Sequence, residues 1–416
     1  MFLFQPAPVN YTDPWTETRS DRLTALSARP IRIAYYHERP DSSSFRYRVY
    51  NMVQAIKLGS RCLSASYFTA EDADIFPTLS EVADVIVLCR APYTSQLEML
   101  VTRAKRLGKR VLFDADDLIF DPAYLPLFLD TIGGAVHPPD VLDHWFALTS
   151  RLQATLGLCD GALVTNDYLA DCMRRSASIP VGVIPNFMNL EQVTLSRRIY
   201  ARKLASGFAS VGGPTIGYFS GSPTHDWDFQ LAATAIRELM DEVADLNLVV
   251  VGYLNLPAVL QDRADRIKTH PLQDFMSLQN LIGSVEANII PLQDNVFTNA
   301  KSELKYFEAA AVGTITVASP THVYKRAIDD GVNGFLARSY EWKAKLRAVL
   351  GHRDGYAARA RAASEHAISH YAWSNQIAVI EQALLGDPGP VAVSASTGRD
   401  SAPTEVLAGQ GLACQT

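Results

Sequence analysis

The chain has 416 residues, 48% of them hydrophobic and 20% charged, with a net charge of −6. That length predicts two or three domains, and the charge excludes a general nucleic-acid binder, which needs a basic footprint. Five scattered cysteines (Cys62, Cys89, Cys159, Cys172, Cys414) offer neither zinc-ligand spacing nor a disulfide framework, and no run approaches the ~20 apolar residues of a membrane span. The expected setting is a reducing cytoplasm, with peripheral contact at the inner face of a membrane as the most that membrane association would amount to.

Residues 1–30 are polar and proline-containing and lack the basic and apolar regions of a secretory signal; they read as an extension without strong periodicity. From residue 31 the pattern alternates. Strands are predicted over 31–36, 62–68, 83–89, 110–114, 161–165 and 181–185, and helices over 45–58, 96–107 and 141–158. The strand at 83–89 is apolar throughout, as in a parallel sheet buried on both faces. A partly helical connector spans 189–213. The alternation then restarts, with strands at 215–219, 246–251, 266–269, 287–291, 315–318 and 334–337, and helices at 228–243, 274–283, 301–313 and 340–350. A helical run over 355–385 is placed to return to the first half. Such alternation implies an α/β fold with two doubly wound parallel sheets. The predicted boundaries are an extension at 1–30, a first domain at 31–188, a linker at 189–213, a second domain at 214–370, a crossing helix at 371–385 and a disordered tail at 386–416.

Ligands of open α/β sheets sit at the carboxyl ends of strands, and four such stretches are unusual. After the first strand comes His37-Glu-Arg-Pro-Asp-Ser-Ser-Ser-Phe-Arg-Tyr-Arg48. Arg46 and Arg48 stand in the first turn of a helix, where cations oppose the dipole unless an anion meets them; they read equally as arginines on a solvent face. Arg90 follows the strand at 83–89 near the same edge. Phe113-Asp-Ala-Asp-Asp117 crowds Asp114, Asp116 and Asp117, whose mutual repulsion is relieved by sugar hydroxyls, by a metal, or by solvent and helix capping. Sugar or acceptor contact is the preferred reading.

Ser220-Gly-Ser-Pro-Thr-His-Asp226 reads either as a βα turn or as a loop whose Ser220, Gly221 and Ser222 bring backbone N–H groups to a phosphate, with His225 as proton donor. In Asn299-Ala-Lys-Ser302 and the helix after it, Lys301, Lys305 and Glu308 share one stripe at ~100° per residue, beside an apolar stripe of Leu304, Phe307 and Ala311. Glu303 points the other way. A diphosphate would suit Lys301, Lys305, Asn299 and Ser302, and a ribose would suit Glu308; a surface helix with a Lys305–Glu308 pair is the alternative. Glu308→Ala and Lys301→Ala are expected to lower activity at least about tenfold, and Glu303→Ala to do little. Serine-hydrolase elbow, zincin, P-loop and dinucleotide fingerprints do not occur.

Glu308-Ala-Ala-Ala-Val-Gly-Thr-Ile-Thr-Val-Ala-Ser319 resembles the Glu-Ala-x-Ala-x-Gly-x-Pro-Val-Val-Ala segment of retaining GT-B glycosyltransferases of family 4 (group 1). Gly331-Val-Asn-Gly-Phe-Leu336 resembles that family's Gly-x-x-Gly-x-Leu turn, and Val183-Ile-Pro-Asn186 the end of its first domain. The resemblance, to a divergent bacterial subgroup, spans about residues 31–385. It implies two Rossmann-like domains facing across a cleft, a nucleotide-sugar substrate, no bound cofactor or metal, and a glycan or lipid-linked acceptor in surface polysaccharide synthesis.

In these enzymes the leaving phosphate itself takes the acceptor's proton. The family's usual sugar-binding Glu, eight residues before Glu308, is replaced by Ala300, and the usual diphosphate-holding Arg and Lys are absent from residues 220–228. By the resemblance, Lys301, Lys305, His225 and Asp116 would carry the catalytic charge work. Glu308, Ser220, Gly221, Ser222, Ser302, Asn299 and Arg46 would hold the nucleotide sugar, and Asp114, Asp117, Arg48 and Arg90 would contact the sugar or acceptor. The same departures leave open a non-catalytic partner subunit, an epimerase or hydrolase of this fold, and a manganese enzyme of the other glycosyltransferase fold using Asp114-x-Asp116.

Overall fold

The computed structural model describes residue 2 and residues 11–40, 43–131, 138–221, 226–351 and 353–386. The strands form two six-stranded, wholly parallel sheets. The first is built from β1 (Ile31–Tyr36), β2 (Leu63–Phe68), β3 (Val85–Cys89), β4 (Arg110–Ala115), β5 (Gly161–Val164) and β6 (Val181–Val183), in the order β2-β1-β3-β4-β5-β6. The second contains β7 (Thr215–Ser220), β8 (Asn247–Gly252), β9 (Ile267–His270), β10 (Ala287–Ile290), β11 (Ile315–Ala318) and β12 (Phe335–Leu336), in the order β12-β11-β10-β7-β8-β9.

The apolar runs become central strands because a parallel sheet buries both faces. In β3 the alternation is visible in the cores: Ile86 and Leu88 join one apolar cluster, while Val85, Val87 and Cys89 join another on the opposite face. The register sets Ile33 beside Val85 and Leu112 beside Gly161, so the carboxyl ends of β1, β3, β4 and β5 align at one edge. Among the described residues no helix is long and apolar enough to cross a membrane.

Several elements differ from the sequence reading. Within 1–30, Trp15 is buried and Arg19–Leu26 is a helix; its Arg22 reaches Asp72 at 2.6 Å, a partner 50 residues away that no local pattern reveals. The helix read at 45–58 begins with a π-helical segment, Arg46–Tyr50. The helix read at 301–313 covers only Leu304–Ala311, and Lys301 lies ahead of it, after the short helix Val296–Asn299. Gly313 ends it with φ +65°, where an added Cβ would lie 2.9 Å from the Tyr200 ring.

The run at 355–385 breaks at residues 372–376 into the helices Arg353–Tyr371 and Ile377–Leu385. The first packs on the Leu304–Ala311 helix; the second lies on the first domain, where Ile380 and Leu384 enter its core and Arg110 holds the carbonyl of Leu384 at 3.0 Å. The tail expected over 386–416 lies, beyond Gly386, outside the described residues.

Candidate active site

The Leu304–Ala311 helix faces the carboxyl end of the first sheet, and Glu308 is its deepest polar residue, 4% exposed. All of its side-chain bonds fall on Oε1, which accepts from the Tyr47 hydroxyl, from Arg46 Nη2 at 3.3 Å and from Gln192 Nε2 at 3.3 Å. Oε2 accepts no hydrogen bond among the described residues and is not sealed from solvent. Arg46 is itself buried, over the Tyr47 ring at 4.0 Å and the Phe275 ring at 4.8 Å. Arg46 and Glu308 are therefore brought together, but Arg46 is engaged with protein groups.

Lys305, one turn before Glu308, makes no hydrogen bond or ion pair through Nζ among the described residues; its nearest aromatic face is Tyr218, 5.8 Å away. Burial, with Lys301 adding, pushes its ammonium down to about 8 against the opposing pull of Asp228 and Glu308. Lys301 Nζ stands 3.4 Å from Asp117 Oδ2, across from the first domain, and 4.5 Å from the Phe297 ring centre. Glu303 does turn away from the lysines, toward Tyr371 and Arg326, and it is half-buried. Its Oε2 is buried with no hydrogen-bond partner among the described residues, it meets Tyr371, and burial pushes the carboxyl up.

The acidic stretch at the end of β4 is not one cluster. Asp114 is fully buried and takes both oxygens to Arg48, at 2.9 Å and 2.8 Å. This corrects the reading of Asp114 and Arg48 as sugar or acceptor contacts, because two buried, mutually satisfied charges have no face left for a hydroxyl. It also removes Asp114 from any Asp114-x-Asp116 metal pair. Asp116 and Asp117 stay nearer the surface: Asp116 Oδ1 is 3.4 Å from Arg90 Nε, and Arg90 holds a left-handed φ of 45° at the end of β3. Asp117, Arg90 and Lys301 thus share the rim between the domains with Asp116.

Ser302 is buried and accepts from Asn186 Nδ2 at 3.0 Å; Asn186 Oδ1 in turn accepts from Arg48 at 3.3 Å. Asn299 braces its own turn instead of facing the cleft: Nδ2 reaches Asp294 at 2.7 Å, and Oδ1 caps the His322–Ala327 helix at 2.7 Å. That departs from its predicted role, since a side chain closing two turns is not available to a diphosphate. Ser220 ends β7 and is buried, its hydroxyl meeting Tyr218. Gly221 is exposed with open space around it. Ser222 and His225 lie outside the described residues.

Sequence reasoning missed Tyr47, Gln192, Asn186 and Asn166. Asn166 caps the Asp167–Ser176 helix through Oδ1 and donates across the cleft to the carbonyl of Ala300 at 3.1 Å. Tyr47 carried one usable signal: a tyrosine between two arginines at a helix start, with an apolar body and a polar tip that must find a partner when buried.

Residues 233–382 match the family model described as "Glycosyl transferase-like". No curated protein matches the chain by sequence. Among solved structures, WaaG, a glycosyltransferase involved in lipopolysaccharide biosynthesis, superposes with a TM-score of 0.57 at 13% identity over 85% of this chain and 100% of its own. HepE from Anabaena, in complex with UDP and glucose, gives 0.55 at 14% identity over 84% and 97%. Sucrose-phosphate synthase from Thermosynechococcus elongatus gives 0.53 at 14% identity over 84% and 96%.

Proposed function

We propose that this chain is a family-4-like glycosyltransferase of the GT-B fold that transfers a sugar from a nucleotide-sugar donor to a glycan or lipid-linked acceptor in surface polysaccharide synthesis. The observation that carries the reading is the pairing, one turn apart on one helix, of a carboxylate whose Oε2 accepts no hydrogen bond and an ammonium that makes no direct ion pair, both among the described residues. A nucleoside diphosphate offers a ribose diol to the first and a phosphate to the second. That HepE is described with UDP and glucose, and WaaG with lipopolysaccharide synthesis, supports the same class of donor and acceptor.

In this reading Glu308 Oε2 accepts from the ribose, and Lys305 and Lys301 stabilise charge growing on the leaving diphosphate, where a fixed cation in a water-poor site is most effective. The cleft holds the acceptor hydroxyl on the face from which the diphosphate leaves; its oxygen bonds to the anomeric carbon as the bond from that carbon to phosphate oxygen breaks, and a phosphate oxygen takes its proton, so the anomeric configuration is retained without a protein nucleophile. Asp116, Asp117 and Arg90, at the rim, are the groups left for sugar or acceptor hydroxyls. In this reading the backbone at Ser220 and Gly221, at the end of β7, faces the diphosphate.

The test is thermal stabilisation by a panel of nucleotide sugars, followed by assay of sugar transfer with the donor that binds, since a ligand of the folded state alone raises Tm. Stabilisation by one donor and transfer dependent on acceptor is the expected outcome. If no nucleotide sugar shifts Tm, the reading is wrong. Release of free sugar without acceptor would favour a hydrolase of the same fold.

A further inference from the structure

We infer that Tyr47, with Arg46, is a positioning residue for the ribose carboxylate, so that nucleotide recognition by the second domain depends on a side chain of the first. The inference rests on Glu308 holding the ribose, as proposed above. Tyr47 and Arg46 belong to the π-helical turn after β1, whereas Glu308 lies 261 residues beyond Tyr47 on the second domain. Tyr47 and Arg46 hold Oε1 from the first domain, and Gln192 holds it from the connecting helix Leu190–Ala205.

Each of those groups is fixed in turn. Arg46 Nη1 donates to Gln192 Oε1 at 3.2 Å; Gln192 Nε2 also reaches Gln279 Oε1 at 3.1 Å; Gln279 Nε2 donates to the carbonyl of Glu308 at 2.7 Å. The Tyr47 ring lies edge-on to Phe307 at 6.2 Å, and burial drives its hydroxyl well above the ordinary range, so it stays a donor. With Oε1 occupied, the carboxylate has one orientation, and its free oxygen is the one that touches solvent. A carboxylate fixed in this way binds a diol without first losing rotamer freedom. If the domains separate, Tyr47 and Arg46 leave Glu308, and the carboxylate is no longer set for a ribose. Separating the domains therefore weakens nucleotide binding without any group that touches the nucleotide being lost.

The measurement compares UDP with 2′-deoxy-UDP, and GDP with 2′-deoxy-GDP, by calorimetry on the full chain. Wild-type protein is expected to prefer the ribose form of the nucleotide it binds by about tenfold, the scale of one charge-assisted hydrogen bond. Glu308→Gln abolishes that preference. Tyr47→Phe reduces it to about threefold or less, with Tm little changed, and the Tyr47→Phe/Glu308→Gln double variant loses no more than Glu308→Gln alone. A Tyr47 that only supports folding would lower Tm and weaken the ribose and deoxyribose forms equally. If Tyr47→Phe keeps the preference while Glu308→Gln loses it, the positioning role is overturned. If Glu308→Gln keeps it, the ribose reading of Glu308 is overturned as well.

Discussion

Arg48 lies against Asp114 in a two-pronged pair, Nε and Nη2 each within 2.9 Å of a carboxylate oxygen, with neither residue reaching solvent. The pair sits directly beneath the cleft, and through Asn186 it extends to Ser302 of the second domain. Breaking it from one side strands a buried charge. Arg48→Met or Asp114→Leu alone should cost about 3–5 kcal/mol in urea unfolding, and the double substitution less than the sum. Additive costs would mean that the two side chains act separately.

Lys305 sets a pH dependence. Its ammonium titrates at about 8 in the free protein, and a diphosphate favours the charged form. Affinity for a nucleoside diphosphate should therefore hold at pH 7 and fall through pH 8 to 9, by at most roughly tenfold per unit. Lys305→Met should bind more weakly at pH 7 and flatten this limb of the profile. Stability moves the opposite way: burial penalises the ammonium, and the penalty fades as pH rises from about 8 toward the ordinary lysine range. A profile equally steep in Lys305→Met would assign the titration elsewhere.

Glu303 is half-buried with Oε2 sealed from solvent, and desolvation holds its carboxyl above the ordinary range, so its ionised form costs stability at neutral pH. Glu303→Gln keeps an oxygen for the Tyr371 hydroxyl and removes the charge. At pH 7 the variant should be more stable than wild type, with the gain fading as pH falls through the ordinary glutamate range, below which both folded and unfolded carboxyls are protonated. Loss of stability at pH 7 would show that the carboxylate is wanted there.

Gly252 ends β8 with φ +89°, and a Cβ at that position would lie 1.9 Å from the carbonyl oxygen of Ser220. That carbonyl belongs to the end of β7, next to the loop toward the site. Gly252→Ala should cost about 2–4 kcal/mol, from the left-handed backbone and from a clash that only backbone movement relieves. It should also weaken nucleotide binding, because Ser220 and Gly221 are displaced. Unchanged stability would mean that the strand ends separate freely.

The strands were readable because a parallel sheet writes itself as apolar runs, and the stop at Gly313 because a left-handed residue punctuates a helix. Glu308, Lys305 and Lys301 were legible as a group from helical spacing, although Lys301 lies outside the helix. Pairing between distant segments was not legible. Asp114 and Arg48 are 66 residues apart, and a short acidic stretch looks alike whether its members are solvated or buried against an arginine. Trp15 likewise sits in a segment without period, yet it meets Phe45 and Tyr50 edge-on in the first core. Periodicity reports which face of an element is covered, not what covers it.

The chain passes between its two domains three times. Phe2 lies in the second core, its N–H on the carbonyl of Ser284, while Trp15 lies in the first; the connector 189–213 carries the chain to the second, and the helix Ile377–Leu385 returns it to the first. Neither domain is thus a contiguous length of sequence. A chimera that exchanged one half with a relative, cut at the connector alone, would pair each sheet with foreign terminal segments. To be interchangeable, the first half must travel with its own last helix, and the second with its own first residues.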